Sequence, residues 1–113
     1  IGMVAVAMCK KREVKSVTVL ERNADVIKCI APQIAHRKLR VVQCDAYQPP
    51  FRGRVFDTIW LDVWPNICSD NWLSMKPMLT TYRKLMRRGG WINGWLKDYL
   101  IALRRRDQRS RAP

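Results

Sequence analysis

Glu21, Asp45 and Asp62 each fall at or beside the end of a run of β-branched and apolar residues: SVTVL (16–20), LRVVQC (39–44) and VFDTIWLDV (55–63). Open α/β sheets bind their ligands outside the carboxyl ends of the strands. One acid in such a place is ordinarily a turn or capping residue. Three of them in successive units predict a rim of carboxylates around a ligand crevice. Gly2 stands 19 residues before Glu21. A glycine loop followed about 20 residues later by an acid suits a nucleoside ligand. The glycine lets the backbone approach closely, and the acid accepts hydrogen bonds from ribose hydroxyls.

The elements that must carry these residues follow from local pattern. GMVAVAMCKK (2–11) favours a helix, with the glycine at its N-terminus. Ser16–Leu20 is a short strand ending at Glu21. Asn23 is a good N-cap for a helix with Val26, Ile27, Ile30 and Ile34 at helical spacing, which Pro32 ends or kinks. Leu39–Cys44 is a second strand, YQPPFRG (47–53) a loop, and Val55–Val63 a third strand. After a loop over 64–70, Ser69 or Asp70 caps a short helix, and Pro77 fits the first turn of a longer one with Met78, Leu79, Tyr82, Leu85 and Met86 on one face. Lys84, Arg87 and Arg88 then fall in its last turn, with Gly89 or Gly90 as the C-cap. WINGW (91–95) is a fourth strand and Leu96–Leu103 a final helix.

Strands that alternate with helices and are apolar on both faces imply an α/β fold, a mostly parallel twisted sheet with helices on both sides. One domain is expected over residues 1–103, with 104–113 as a basic, disordered tail. Ile1 is not a start methionine and the chain opens inside an apolar pattern, so truncation at the N-terminus is expected.

Gly2 with its helix, VTVLERNADVI (17–27), LRVVQCDAY (39–47), FDTIWLDVWP (56–65) and LMRRGGWINGW (85–95) resemble consecutive segments of class I S-adenosylmethionine-dependent methyltransferases. The branch most resembled includes spermidine synthase-like proteins and small, often phage-borne methyltransferase-like proteins. The resemblance runs to about residue 97 and is strongest over 17–65. It implies a Rossmann-like fold with S-adenosylmethionine as cofactor. By the resemblance Glu21 binds the ribose hydroxyls and Asp45 the adenine amino group. Ala46 lines the adenine site through its backbone, and Gly2 lies under the methionine portion. Asp62 faces the reacting centre. The family's first strand and earlier glycines are missing from these residues, so weak cofactor binding by this length of chain is expected. Asp62-Val63-Trp64-Pro65 departs from the Asp/Asn-Pro-Pro-aromatic pattern of amine- and base-modifying branches. It also lacks the extra acid of the polyamine-forming branch, which argues against aminopropyl transfer. The final antiparallel hairpin of the full fold is absent too.

Composition bounds the remainder. The chain has 113 residues, 48% hydrophobic, with 22 Lys+Arg against 9 Asp+Glu and a net charge of +13. Such a field attracts polyanions, most obviously nucleic acid or acidic lipid head groups, and can equally be a solvated surface. Arg104, Arg105, Arg106, Arg109 and Arg111 crowd the last ten residues. Cys9, Cys29, Cys44 and Cys68 are widely spaced and lack a Cys-x-x-Cys pair, and His36 is the only histidine, so no metal site is expected. Three of the four sit in or beside apolar runs and read as buried free thiols of a reducing cytoplasm. No apolar run approaches the roughly 20 residues of a membrane span.

His36, between Arg37 and Lys38, is expected to be exposed and uninvolved, which argues against a hydrolase built on a triad. Trp60 and Trp91 read as sheet-packing residues. Trp64, beside Asp62, reads either as a substrate- or adenine-stacking residue or as plain packing. The leading expectation is methyl transfer from S-adenosylmethionine to an acceptor that the sequence does not identify. The alternative is a non-catalytic Rossmann-like module that binds a nucleotide or nucleic acid. A nicotinamide-dependent oxidoreductase is less consistent with Asp45 and the segment after Asp62.

Overall fold

The computed structural model describes residues 2–113; Ile1, on which the expectation about the N-terminus rested, lies outside the described residues. Over the described residues the chain is mixed α/β with four helices and four strands, in the order α-β-α-β-β-α-β-α. It divides into two compact units, one ending at Pro50 and the other spanning Phe51–Pro113. The strands form two separate two-stranded parallel sheets. The strands pair in parallel as expected, in two pairs, one in each unit.

In the first unit, helix α1 (Met3–Cys9) starts at Gly2, which adopts φ 87°. A Cβ at Gly2 would lie 2.9 Å from Ile34 Cδ1 and 3.0 Å from Ile34 Cγ2. Only glycine suits both the backbone angle and the space. Ala5 and Cys9 of α1 are buried with Val17, and Met8, Val14, Val19 and Leu39 pack around them. Strand β1 (Val17–Glu21) pairs in parallel with β2 (Leu39–Gln43), from Val17 opposite Leu39 to Glu21 opposite Gln43. Between them runs α2 (Ala24–Ile30). Asn23 caps it as expected, its side chain accepting from Asp25 N at 2.9 Å and Val26 N at 3.2 Å. The helix stops at Ile30, before the proline that cannot continue it.

In the second unit, β3 (Phe56–Leu61) pairs in parallel with β4 (Met86–Gly94). Helix α3 (Asn71–Arg83) packs on β4 and on α4 (Lys97–Arg111). Ile59, Leu61, Met75, Met78, Leu79, Tyr82 and Leu100 are buried here.

Several sequence expectations change in this unit. The short and long helices are one helix, α3, with Pro77 inside it rather than in its first turn. Asp70 stands at its N-cap without a side-chain capping bond. The helix ends at Arg83, so Lys84, Arg87 and Arg88 lie beyond its last turn, and β4 starts at Met86 instead of Trp91. The reason is a wide irregularity. Phe56 faces Met86 and the next pair is Thr58 with Trp91, so four residues of β4 oppose Asp57 alone. Gly89 and Gly90 serve this bulge rather than a helix cap. A Cβ at Gly90 would come within 2.7 Å of Asp57 O and 2.9 Å of Arg87 O, while Gly89, at φ 78°, faces open space. Arg87 closes the bulge through a 3.0 Å bond from Nη1 to Asp57 Oδ2.

The arginine segment is also corrected: α4 continues through it to Arg111 instead of giving way to a disordered tail at Arg104. Of the four cysteines, all free, only Cys9 is buried; Cys44 and Cys68 are half-buried and Cys29 is exposed. No helix among the described residues is long and apolar enough to cross a membrane.

Candidate functional site

Glu21 is the last residue of β1 and Asp45 lies two residues beyond β2, at the same end of one parallel pair. The backbone joins the two ends directly, Cys44 N donating to Glu21 O at 3.0 Å. Each carboxylate also organises its own turn. Glu21 Oε1 accepts from Asn23 N at 2.9 Å, and Asp45 Oδ1 accepts from Tyr47 N at 2.9 Å. Among the described residues the second oxygen of each accepts no hydrogen bond, so both retain capacity for an external donor. Gln43, opposite Glu21, bonds back through Nε2 to Arg22 O at 3.3 Å and steadies the same strand ends.

Cys44 sits between these acids. Burial pushes its thiol above the ordinary range, and the neighbouring Asp45 carboxylate adds to the effect. At neutral pH it is a protonated spacer, not a nucleophile.

Gly2 belongs to the same unit, heading the helix that packs on β1 and β2. Its close approach is to Ile34, so the chain's own packing accounts for the glycine without a ligand. Ala46 is half-buried in the turn after Asp45. An open apolar depression on α2, lined by Asp25, Val26, Cys29 and Ile30, lies on that helix's surface and offers one carboxylate and no other charged group.

The third acid does not join this pair within one sheet. Asp62 follows β3 in the second unit, exposed and without a side-chain partner among the described residues. Two of the three strand-end carboxylates therefore share one strand pair, and Asp62 stands at the end of a strand of the other pair. Trp64 is buried at 9% exposure and donates Nε1 to Ser74 Oγ at 2.8 Å. These contacts make it part of the packing of the second unit. His36 is exposed, its Nδ1 accepting from Lys38 N at 3.1 Å. No group of three or more His, Cys, Asp or Glu residues is placed to hold a metal ion among the described residues.

No family model matches this chain, and no curated protein or solved structure matches it. The case for any function therefore rests on the residues themselves.

Two arrangements escape sequence reasoning. Arg104 Nη1 donates to Asp70 Oδ1 at 2.6 Å, an ion pair between residues 34 positions apart that no local pattern marks. Trp60 and Trp91 stack with rings 2° from parallel and centroids 6.2 Å apart, and Trp91 is half exposed. Thr58 and Trp60 alternate with the buried Ile59 and Leu61 along β3, a pattern that places Trp60 on the face away from them.

Proposed function

We propose that this chain carries the nucleoside-binding part of an S-adenosylmethionine-dependent methyltransferase-like protein, in which a methyl group passes to an acceptor of undetermined identity. The observation that carries the proposal is the pair of carboxylates at one end of a parallel strand pair, each with one oxygen uncommitted. A ribose diol and an adenine amino group both present hydrogen-bond donors, and charge-assisted bonds to carboxylates are roughly twice as strong as neutral ones. The acceptor oxygens of Glu21 and Asp45 fit such donors and make no demand on Gly2. S-adenosylmethionine, when bound, supplies an activated methyl on a sulfonium centre, so the protein mainly binds and orients. Glu21 would hold the ribose, and Asp45 with Ala46 the adenine. Asp62 is assigned to acceptor orientation or proton removal by the resemblance alone. The fold that accompanies this reading is Rossmann-like, with mostly parallel strands.

Calorimetric titration of S-adenosylhomocysteine into the chain tests it, beside Glu21→Ala and Asp45→Ala. Binding by the parent, weakened at least about tenfold in each variant, is expected if each carboxylate makes a charge-assisted bond of about 1.5–3 kcal/mol. Equal binding by parent and variants would remove the site.

A further inference from the structure

We propose that the solvent face of α4 is a binding surface for the phosphate backbone of a nucleic acid, with Arg105, Arg106 and Arg109 as its contacts. Arg105 and Arg109 are four residues apart and Arg106 and Arg109 three, spacings that share one helix face. All three are exposed and form no ion pair among the described residues. Arg104, by contrast, points its charge at Asp70 and is excluded from the surface. One carboxylate, Asp98, shares the exposed side of the helix; Asp107 is half-buried. Tyr99, 54% exposed and seven residues before Arg106, adds an aromatic ring two turns away.

Helical order is what turns a charge run into a site. A disordered basic segment attracts polyanions without register, whereas these guanidiniums are held at fixed separations on a helix anchored by Leu100, which is fully buried. The surrounding unit supports the same sign, with thirteen Lys and Arg against five Asp in residues 51–113. The anchoring also decides between two polyanions. A basic helix settles on a membrane by burying its apolar face among acyl chains. The apolar side of α4 already packs on α3, leaving the charged side alone for a partner. Guanidinium forks suit phosphate oxygens in bidentate geometry.

The experiment is fluorescence anisotropy with a short labelled DNA duplex and its single strand, over a series of salt concentrations, with no cofactor added. The parent should bind with a steep salt dependence. Arg105→Gln/Arg106→Gln/Arg109→Gln should lower the slope of log affinity against log salt by about 2 to 3, one counterion released per lost contact. The matching Lys triple should keep most of that slope. Lys10→Gln/Arg12→Gln/Lys15→Gln removes three exposed charges from the first unit and should leave affinity within about threefold. Glutamine preserves helix propensity, and unchanged far-UV circular dichroism confirms that α4 persists. Equal losses in the two glutamine triples would overturn the proposal in favour of undirected charge. So would no binding by the parent, or tighter binding to phosphatidylserine vesicles than to the duplex.

Discussion

Gly2 illustrates how a residue selected for one reason can be explained by another. Its spacing to Glu21 suggests a ligand loop, yet its left-handed backbone and the Ile34 side chain against it already require glycine. Gly2→Ala should cost about 1–3 kcal/mol from overpacking and strain, measured by chemical denaturation. Adding Ile34→Ala should recover part of that loss, because it removes the clash though not the strained φ; a strictly additive pair would refute the contact. Cys44 offers a second test at this scale. A thiol whose pKa rises on folding contributes stability below the unfolded thiol's pKa, and loses it as pH climbs through the folded value. Alkylation at mildly alkaline pH should therefore label exposed Cys29 first and Cys44 more slowly, with buried Cys9 labelled only on unfolding. Rapid labelling of Cys44 at neutral pH would contradict its surroundings.

The elements were legible in proportion to how local their causes are. Asn23, Pro32 and the β-branched runs act within a few residues, and α2, β1, β2 and β3 appear where those signals place them. Local pattern predicts only five residues for β4, because Arg87-Arg88-Gly89-Gly90 resembles the end of a helix. Its cause is non-local: the backbone oxygen of Asp57, thirty-three residues from Gly90, leaves room for a hydrogen and nothing larger. Gly90→Ala should cost about 2–3 kcal/mol, and Gly89→Asn, at an open left-handed position, less than about 1 kcal/mol. Thermal melts of the two variants compare them, and a reversed order would mean that the bulge is not built as described. The carboxylates followed the same logic. Glu21 and Asp45 are legible as strand-end acids from local pattern, but which acids share a strand pair depends on sheet pairing that no single strand records.

At the scale of the whole chain, each unit has its own buried cluster, with Cys9 and Val17 in the first and Met75, Leu79 and Leu100 in the second. Leu79→Ala should destabilise by about 2–5 kcal/mol. Its effect should concentrate in the amides of β3, β4, α3 and α4 by hydrogen exchange, while those of β1 and β2 change less. The pairing of strands only in twos has one more consequence, for colloidal behaviour. In each sheet the outer edge of either strand is hydrogen-bonded to no further strand among the described residues. Such borders can recruit a strand from another molecule. Mutual repulsion from a net charge of +13 holds copies apart. Added salt shortens the reach of that repulsion to about 3 Å near 1 M. Light scattering should therefore show particle size growing with salt, the opposite of ordinary salting-in, and reversing on dilution into low salt.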